Sequence, residues 1–245
     1  PSDASQGPAG VAMMLDAGVT NESLAILHMT NDYGFGLADS IKSAWEVNGE
    51  LCSAGMQGYE EGSPEFSGLV SAIIDEDNCE AVYLSSYLED AAGIIEELHN
   101  QGWDGQIFAG DGASSWDGSG LYDYMTDYSM LEGVTVTTPR DFVSHGDFEQ
   151  RYDDNAEEVE GIKAYVLTAY DSTMILGKAI AEYDEHHELT DSIEQVGTNY
   201  EGASGVINFM ENGDSTGSGY DICTYSGDPD DANEGYSCNR FWTVE

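Results

Sequence analysis

Residues 23–47 read SLAILHMTNDYGFGLADSIKSAWEV. The first seven form a short apolar run suited to a strand buried on both faces. Over 35–47, Leu37, Ile41, Ala44 and Trp45 fall on one stripe at helical spacing. Four further apolar runs follow: ELCSAGM (50–56), AVYLSS (81–86), QIFAG (106–110) and GVTVT (133–137). The intervals are too long for hairpins and carry helical patterns. The clearest spans 64–76, with Ser63 as the expected N-cap, Pro64 in the first turn, and Phe66, Leu69, Val70, Ile73 and Ile74 as its stripe. Residues 87–99 repeat the pattern with Leu88, Ala91, Ala92, Ile95 and Leu98. Strand–helix alternation of this kind predicts an α/β lobe: a Rossmann-like parallel sheet covered on both faces.

Beyond Pro139 the pattern changes. Helices are expected over 146–158 and 163–185 and a short one near 190–196, followed by GVINF (205–209) and a turn at Asn212-Gly213-Asp214. Breaks at Thr137–Pro139 and Gly217–Gly219 predict that the chain leaves the first lobe near 138 and re-enters it near 218.

The 245 residues carry 48 Asp+Glu against 6 Lys+Arg, a formal charge of -42. Six cations are too few for a nucleic-acid groove, and an anionic membrane surface would repel the chain. At 40% hydrophobic and 11% aromatic, the composition still supports a core. Such charge is tolerable where molar salt shortens the Debye length to about 3 Å, which points to a halophile. No run of about 18 apolar residues occurs, so no span is expected. The chain opens on Pro1 with no signal peptide, and is expected to lack its natural start.

The four cysteines form no CxxC and have no histidine at zinc-finger spacing, so no metal site is expected. Cys223 and Cys238 flank a Gly-rich acidic loop between β-prone runs, which predicts a disulfide-stapled hairpin. Cys52 and Cys79 fall near two strand starts, and a second disulfide joins them if the loop carrying Cys79 leans across the strand expected at 23–29. Four buried thiols remain the alternative.

Enzyme and cofactor signatures fail. Gly34 and Gly36 suggest a phosphate cradle, but Asp39 occupies the third glycine position of GxGxxG, and Asp32 would repel phosphate. There is no GxSxG, no HExxH around His186-His187, and no full calcium loop at Asn212-Gly213-Asp214. No cofactor is expected. Parallel sheets place ligands at the C-terminal ends of their strands. Tyr33, Tyr87 and Asp111 follow strands there, and Asp3 precedes the first helix. Two phenols and two carboxylates suit a small ligand with a cationic group.

The order and spacing of Ser2-Asp3-Ala4-Ser5-Gln6-Gly7, LAILHMTNDYGFGLADS, PEFSGLVSAI, EAVYLSSY, FAGDG, TAYDSTMILGKAI and GVINFMENGD resemble the branched-chain amino-acid binding proteins, type I solute-binding proteins of ABC importers. The resemblance covers nearly the whole chain. It implies two α/β lobes around a cleft joined by three crossovers, with 1–137 and 217–245 forming the C-terminal lobe and 138–216 part of the N-terminal one. It implies that Asp111 holds a ligand ammonium, that Tyr33 and Tyr87 are the aromatic positions, and that Asp3 is an acidic position at the cleft start. The family often has glutamate where Asp111 stands. The ligand carboxylate is gripped by a segment of the first lobe not found in this sequence. Apolar faces within 138–216, such as Leu167, Met174 and Ile180, would then stay exposed. The implied function is extracellular capture of an amino acid or amide, rather than a sugar, for a membrane permease. A sensor ectodomain on the same fold is the alternative.

Overall fold

The computed structural model describes residues 2–47, 49–115, 119–140, 148–155, 163–183, 188–215, 217, 219–230 and 235–243. The chain divides into two compact units, one built from Asp3–Thr138 with Tyr220–Thr243, the other centred on Pro139–Gly219. His186 and His187 lie outside the described residues, as do the ends of the helices expected over 146–158 and 163–185.

The larger unit starts with α1 (Asp3–Asp16), β1 (Leu24–Met29), α2 (Asp32–Trp45) and β2 (Met56–Tyr59). It continues through α3 (Ser67–Ile74), β3 (Ala81–Ser85), α4 (Leu88–Asn100), β4 (Gln106–Ala109) and β5 (Thr135–Pro139). The smaller unit supplies α5 (Phe148–Asn155), α6 (Lys163–Glu182), α7 (Leu189–Gly197), β6 (Tyr200–Gly202) and β7 (Gly205–Ile207). β8 (Tyr220–Tyr225) and β9 (Tyr236–Trp242) then complete the larger unit. Its sheet has the order β2-β1-β3-β4-β5-β8-β9. The pairs from β2 to β5 are parallel, and β8–β9 is antiparallel.

Side chains alternate across each strand, so the sheet has two apolar faces. Leu24, Ile26, Tyr83 and Phe108 pack with Met13 and Met14 of α1 and Ile41 and Trp45 of α2. Leu27, Val82, Leu84 and Ile107 pack with Val70 and Ile73 of α3 and Ile94, Ile95 and Leu98 of α4. Both faces of β1 are therefore buried, which is why it reads as an unbroken apolar run. Helices α1 and α2 approach closely at glycine: a Cβ on Gly7 would stand 2.1 Å from Ser40 Oγ, and one on Gly10 2.5 Å from Ile41 Cδ1.

Several boundaries differ from expectation. The strand expected at 50–56 begins only at Met56. Before it, the Gly55 N–H bonds to the Cys52 carbonyl and Gly55 turns with φ +65°, so 52–55 form a tight turn. Helix α3 starts at Ser67, not near Pro64, and its N-cap residue is Phe66 with no side-chain cap. Ser63 instead donates to the Glu65 carbonyl. Helix α2 starts three residues earlier than expected, because Asn31 caps it by accepting the Gly34 N–H at 2.7 Å. Asp3 opens α1 rather than preceding it.

Both disulfides form. Cys223 and Cys238 face each other across β8–β9 with Cα atoms 4.0 Å apart. Cys52 and Cys79 lie 5.3 Å apart although β1 separates their strands. Both loops fold over the start of β1: the Cys52 N–H reaches the Leu24 carbonyl, and Asn78 donates to Glu22 O and accepts from Ser53 N.

In the smaller unit, β6 and β7 form a two-stranded antiparallel hairpin, where one strand was expected. The Asp171 carboxylate of α6 accepts Ala203 N–H, Ser204 N–H and Ser204 Oγ–H at 2.7, 2.7 and 2.6 Å. Leu167, expected to be exposed, is 1% exposed and packs against Phe148 and Ala203. Met174 and Ile180 are exposed, as are Leu176 and Tyr165 nearby on α6. Among the described residues no helix is long and apolar enough to cross a membrane.

Candidate functional site

Parallel strands deliver their following loops to one edge of the sheet. Tyr33 stands in the first turn of α2 after β1, Tyr87 is the N-cap residue of α4 after β3, and Asp111 opens a 3₁₀ turn after β4. Helix α1 begins at the same edge, since Gln6 reaches both Asp111 and Thr137 of β5.

The sequence-selected residues meet there. The Tyr33 and Tyr87 rings stack with centroids 5.2 Å apart and planes 3° from parallel. The Tyr33 hydroxyl donates to Asp111 Oδ1 at 2.9 Å. Asp3 lies at the start of α1, where a Cβ on Gly36 would stand 3.4 Å from its Oδ2. The negative charges of both Asp3 and Asp111 act on the Tyr83 phenol beneath, whose pKa is raised above all by burial.

Glycines on either side of Asp111 make the approach possible. A Cβ on Gly110 would stand 2.5 Å from Leu37 Cδ2, and one on Gly112 would stand 2.6 Å from the Ser86 carbonyl and 2.8 Å from the Tyr33 hydroxyl. With no side chain in the way, the Gly112 N–H donates to the Tyr33 oxygen at 2.9 Å. A phenol has one hydrogen and two acceptor lone pairs. Gly112 occupies one lone pair, and the hydrogen points at Asp111. Tyr33 therefore adds acceptor capacity to this edge, not a donor.

Burial, then the Asp111 charge, raises the Tyr33 pKa well above the ordinary phenol value. Tyr87 is also raised, by burial and then by the charges of Glu61 and Asp111. Both rings stay neutral at physiological pH, and the edge as a whole is rich in acceptors and aromatic surface. That combination is chemically suited to a cation with N–H donors.

Residues 1–228 match the model of the family described as receptor family ligand binding region. The chain belongs to that family. Among its relatives is a leucine-specific-binding protein of Salmonella typhimurium, 26% identical over 92% of this chain and 59% of that protein. A Leu/Ile/Val/Thr-binding protein of the same organism is 24% identical, over 88% and 56%. The chain thus spans somewhat over half the length of these relatives. A solved leucine binding protein from Thermotoga maritima superposes with a TM-score of 0.72 at 23% identity, over 98% of this chain and 66% of that one. A periplasmic binding protein type 1 from Bordetella pertussis gives 0.72 at 16% identity, over 100% and 66%. The fold is that of the type I periplasmic binding proteins. The curated relatives are binding proteins rather than enzymes.

Within this family fold, sequence reasoning missed Gln6, Thr137 and the two glycines around Asp111. Gln6 carries a readable signal: it stands three residues after Asp3, on the same face of α1. The glycines beside Asp111 carry no sequence signal for the close approach they allow.

An apolar concavity lies elsewhere. A cavity of about 470 Å³ in the smaller unit is lined by Tyr165, Ile175, Leu176, Ile193, Val206 and Phe209. Its walls are mostly apolar, and Asp3, Tyr33, Tyr87 and Asp111 do not line it. Among the described residues no group of three or more His, Cys, Asp or Glu could hold a metal.

Proposed function

We propose that this chain is the ligand-binding part of an extracellular solute-binding protein that captures an amino acid and passes it to the membrane permease of an ABC importer. The observation that carries this is the Tyr33–Asp111–Tyr87 constellation on the strand-end edge. A carboxylate fixed by a phenol and flanked by a stacked aromatic pair suits an ammonium beside an aliphatic side chain. The leucine and Leu/Ile/Val/Thr-binding relatives support a branched-chain or related ligand. In this reading Asp111 pairs with the ammonium, Tyr33 and Tyr87 form the wall, and Asp3 adds negative potential.

Calorimetry with L-leucine tests it. Asp111→Asn should weaken binding by about 1.5–3 kcal/mol, the range for a hydrogen bond to a charged group. Unchanged affinity would remove Asp111 from the site. A sensor ectodomain, which the family's receptor description also accommodates, would use the same edge; stimulation of uptake by the cognate permease separates the two.

A further inference from the structure

We infer that Gln6 is a positioning residue for Asp111, and that the Thr137–Gln6–Asp111 chain sets how well this edge distinguishes an ammonium from a hydroxyl of the same shape. The inference rests on the reading of Asp111 as the ammonium partner.

Gln6 is only 2% exposed, so it is not a surface residue that happens to lie near a carboxylate. Its amide nitrogen donates to Asp111 Oδ1 at 3.0 Å and to Thr137 Oγ1 at 3.1 Å. An ionised carboxylate only accepts, so the amide must present its nitrogen, not its oxygen, to Asp111. Both hydrogens of that nitrogen are then committed. The amide becomes a strut from β5, through α1, to the turn after β4.

The strut acts on the orientation of the carboxylate. Tyr33 donates to the same Oδ1 from the α2 side. Two donors on one oxygen, arriving from different helices, fix both the rotation of the side chain and the roll of the carboxylate plane. Aspartate has two side-chain torsions, and Asp111 opens a partly buried 3₁₀ turn. Pre-organised acceptors strengthen binding because no ordering is left to occur when the ligand arrives.

Fixed acceptors also discriminate. An ammonium brings only donors. A hydroxyl can donate its one hydrogen to Asp111, and a lone pair then faces the acceptor side of Tyr33. A loosely held carboxylate could rotate to reduce that repulsion; a strutted one cannot. If Gln6 merely filled space between α1 and β5, its loss would weaken amine and alcohol alike.

The test is calorimetry on the full protein containing this chain, with L-leucine and (S)-2-hydroxy-4-methylpentanoate as the matched pair. Four forms are compared: unsubstituted, Asp111→Asn, Gln6→Met and Thr137→Val. Gln6→Met should reduce the preference for the amine by about tenfold, the effect of losing one charge-assisted bond. Thr137→Val keeps the shape of β5 and removes the far anchor together with a partner of the Tyr83 phenol, so it should reduce the preference by roughly threefold. Thr137→Val also decides the matter if Gln6→Met does not fold. Equal weakening of both ligands by Gln6→Met and by Thr137→Val, with the preference unmoved, makes Gln6 a packing residue and overturns the inference. A preference that survives Asp111→Asn defeats the ammonium reading itself; one that falls in Asp111→Asn but holds in the other two variants defeats only the role of Gln6.

Discussion

The backbone N–H of Gly112 donates to the Tyr33 hydroxyl oxygen at 2.9 Å, across a gap that no side chain could share. This bond orients the phenol: with one lone pair engaged, the hydroxyl hydrogen turns to Asp111. The arrangement depends on glycine for its closeness. An added Cβ would meet Ser86 O at 2.6 Å, and that atom is backbone, so it cannot rotate away. Gly112→Ala should therefore destabilise the larger unit by about 1–3 kcal/mol, the usual cost of overpacking. It should also weaken L-leucine binding, because Tyr33 must retreat. Denaturant melts and calorimetry on one preparation check both effects. A variant with full stability and affinity would show that the turn shifts freely.

Asp171 makes the corresponding prediction for the smaller unit. It is 1% exposed and accepts three hydrogen bonds from Ala203 and Ser204. Asp171→Ala leaves buried donors without acceptors, at about 1–3 kcal/mol each, and a net loss of about 3 kcal/mol is expected. Asp171→Asn retains one acceptor and should cost less. Gly202→Ala should damage the same joint, since its Cβ would stand 2.5 Å from the Asp171 carboxylate. Equilibrium denaturation ranks the three variants, and an Asp171→Ala protein as stable as the parent would mean that water replaces the carboxylate.

Buried phenols give a pH prediction of definite sign. Tyr33, Tyr59 and Tyr83 all have raised pKa values, in each case chiefly because burial disfavours the phenolate. In the unfolded chain they ionise at about 10. Above that pH the folded state binds more protons than the unfolded state, so stability falls as pH rises. Their contribution is fully present below pH of about 10 and is lost on passing upward toward the folded values. Melting temperatures measured between pH 8 and 11.5 should drop steeply at the upper end. Tyr33→Phe removes one such group and should flatten the drop; an unchanged slope would show that Tyr33 is not among the phenols responsible.

The parts of the molecule that were legible in the sequence follow from periodicity. β1 is buried on both faces, so its unbroken apolar run marks it, and the stripe Leu37, Ile41 and Trp45 marks α2. The disulfide at Cys223–Cys238 was legible because both cysteines sit in one hairpin. Local competition hid other features. Asn31 won the N-cap of α2 because its carboxamide reaches the Gly34 N–H, while Ser63 lost that of α3 by bonding within its own loop. Tyr33, Tyr87 and Asp111 could be placed together because strand ends share an edge by topology. The bond from Gln6 to Asp111 could not, because it joins residues 105 apart and depends on the side-chain geometry of α1 against β4. Leu167 was misjudged for a related reason: its cover comes from Phe148 and Ala203, which no helical period connects to α6.

The charge gives the last prediction. The sequence holds 48 acidic and 6 basic side chains. Even if each cation neutralised one carboxylate, 48 − 6 = 42 negative charges would remain. Lys42 pairs with Glu46 within α2, and Arg240 lies 4.0 Å from Asp16, but both pairs are solvent-exposed, where ion pairs contribute about 0–1 kcal/mol. Lys178 sits over the Tyr200 ring at 4.5 Å, and Arg151 over the Tyr170 ring at 5.8 Å. Repulsion among the carboxylates is therefore controlled mainly by solvent ions. The screening length falls from about 10 Å at 0.1 M to about 3 Å at 1 M. Melting temperature should accordingly rise with KCl and level off once neighbouring carboxylates are screened. Mild acid should act in the same direction at low salt, because protonation toward the ordinary carboxylate range of about 4 also removes repulsion. Salt and acid should thus partly replace each other, giving the largest salt effect at neutral pH and a smaller one near pH of about 5. A preferential-exclusion effect of the salt on apolar burial would persist at both pH values. A melting temperature that does not change between low and molar KCl at neutral pH would count against charge repulsion as the factor limiting stability, and against the high-salt habitat inferred from it.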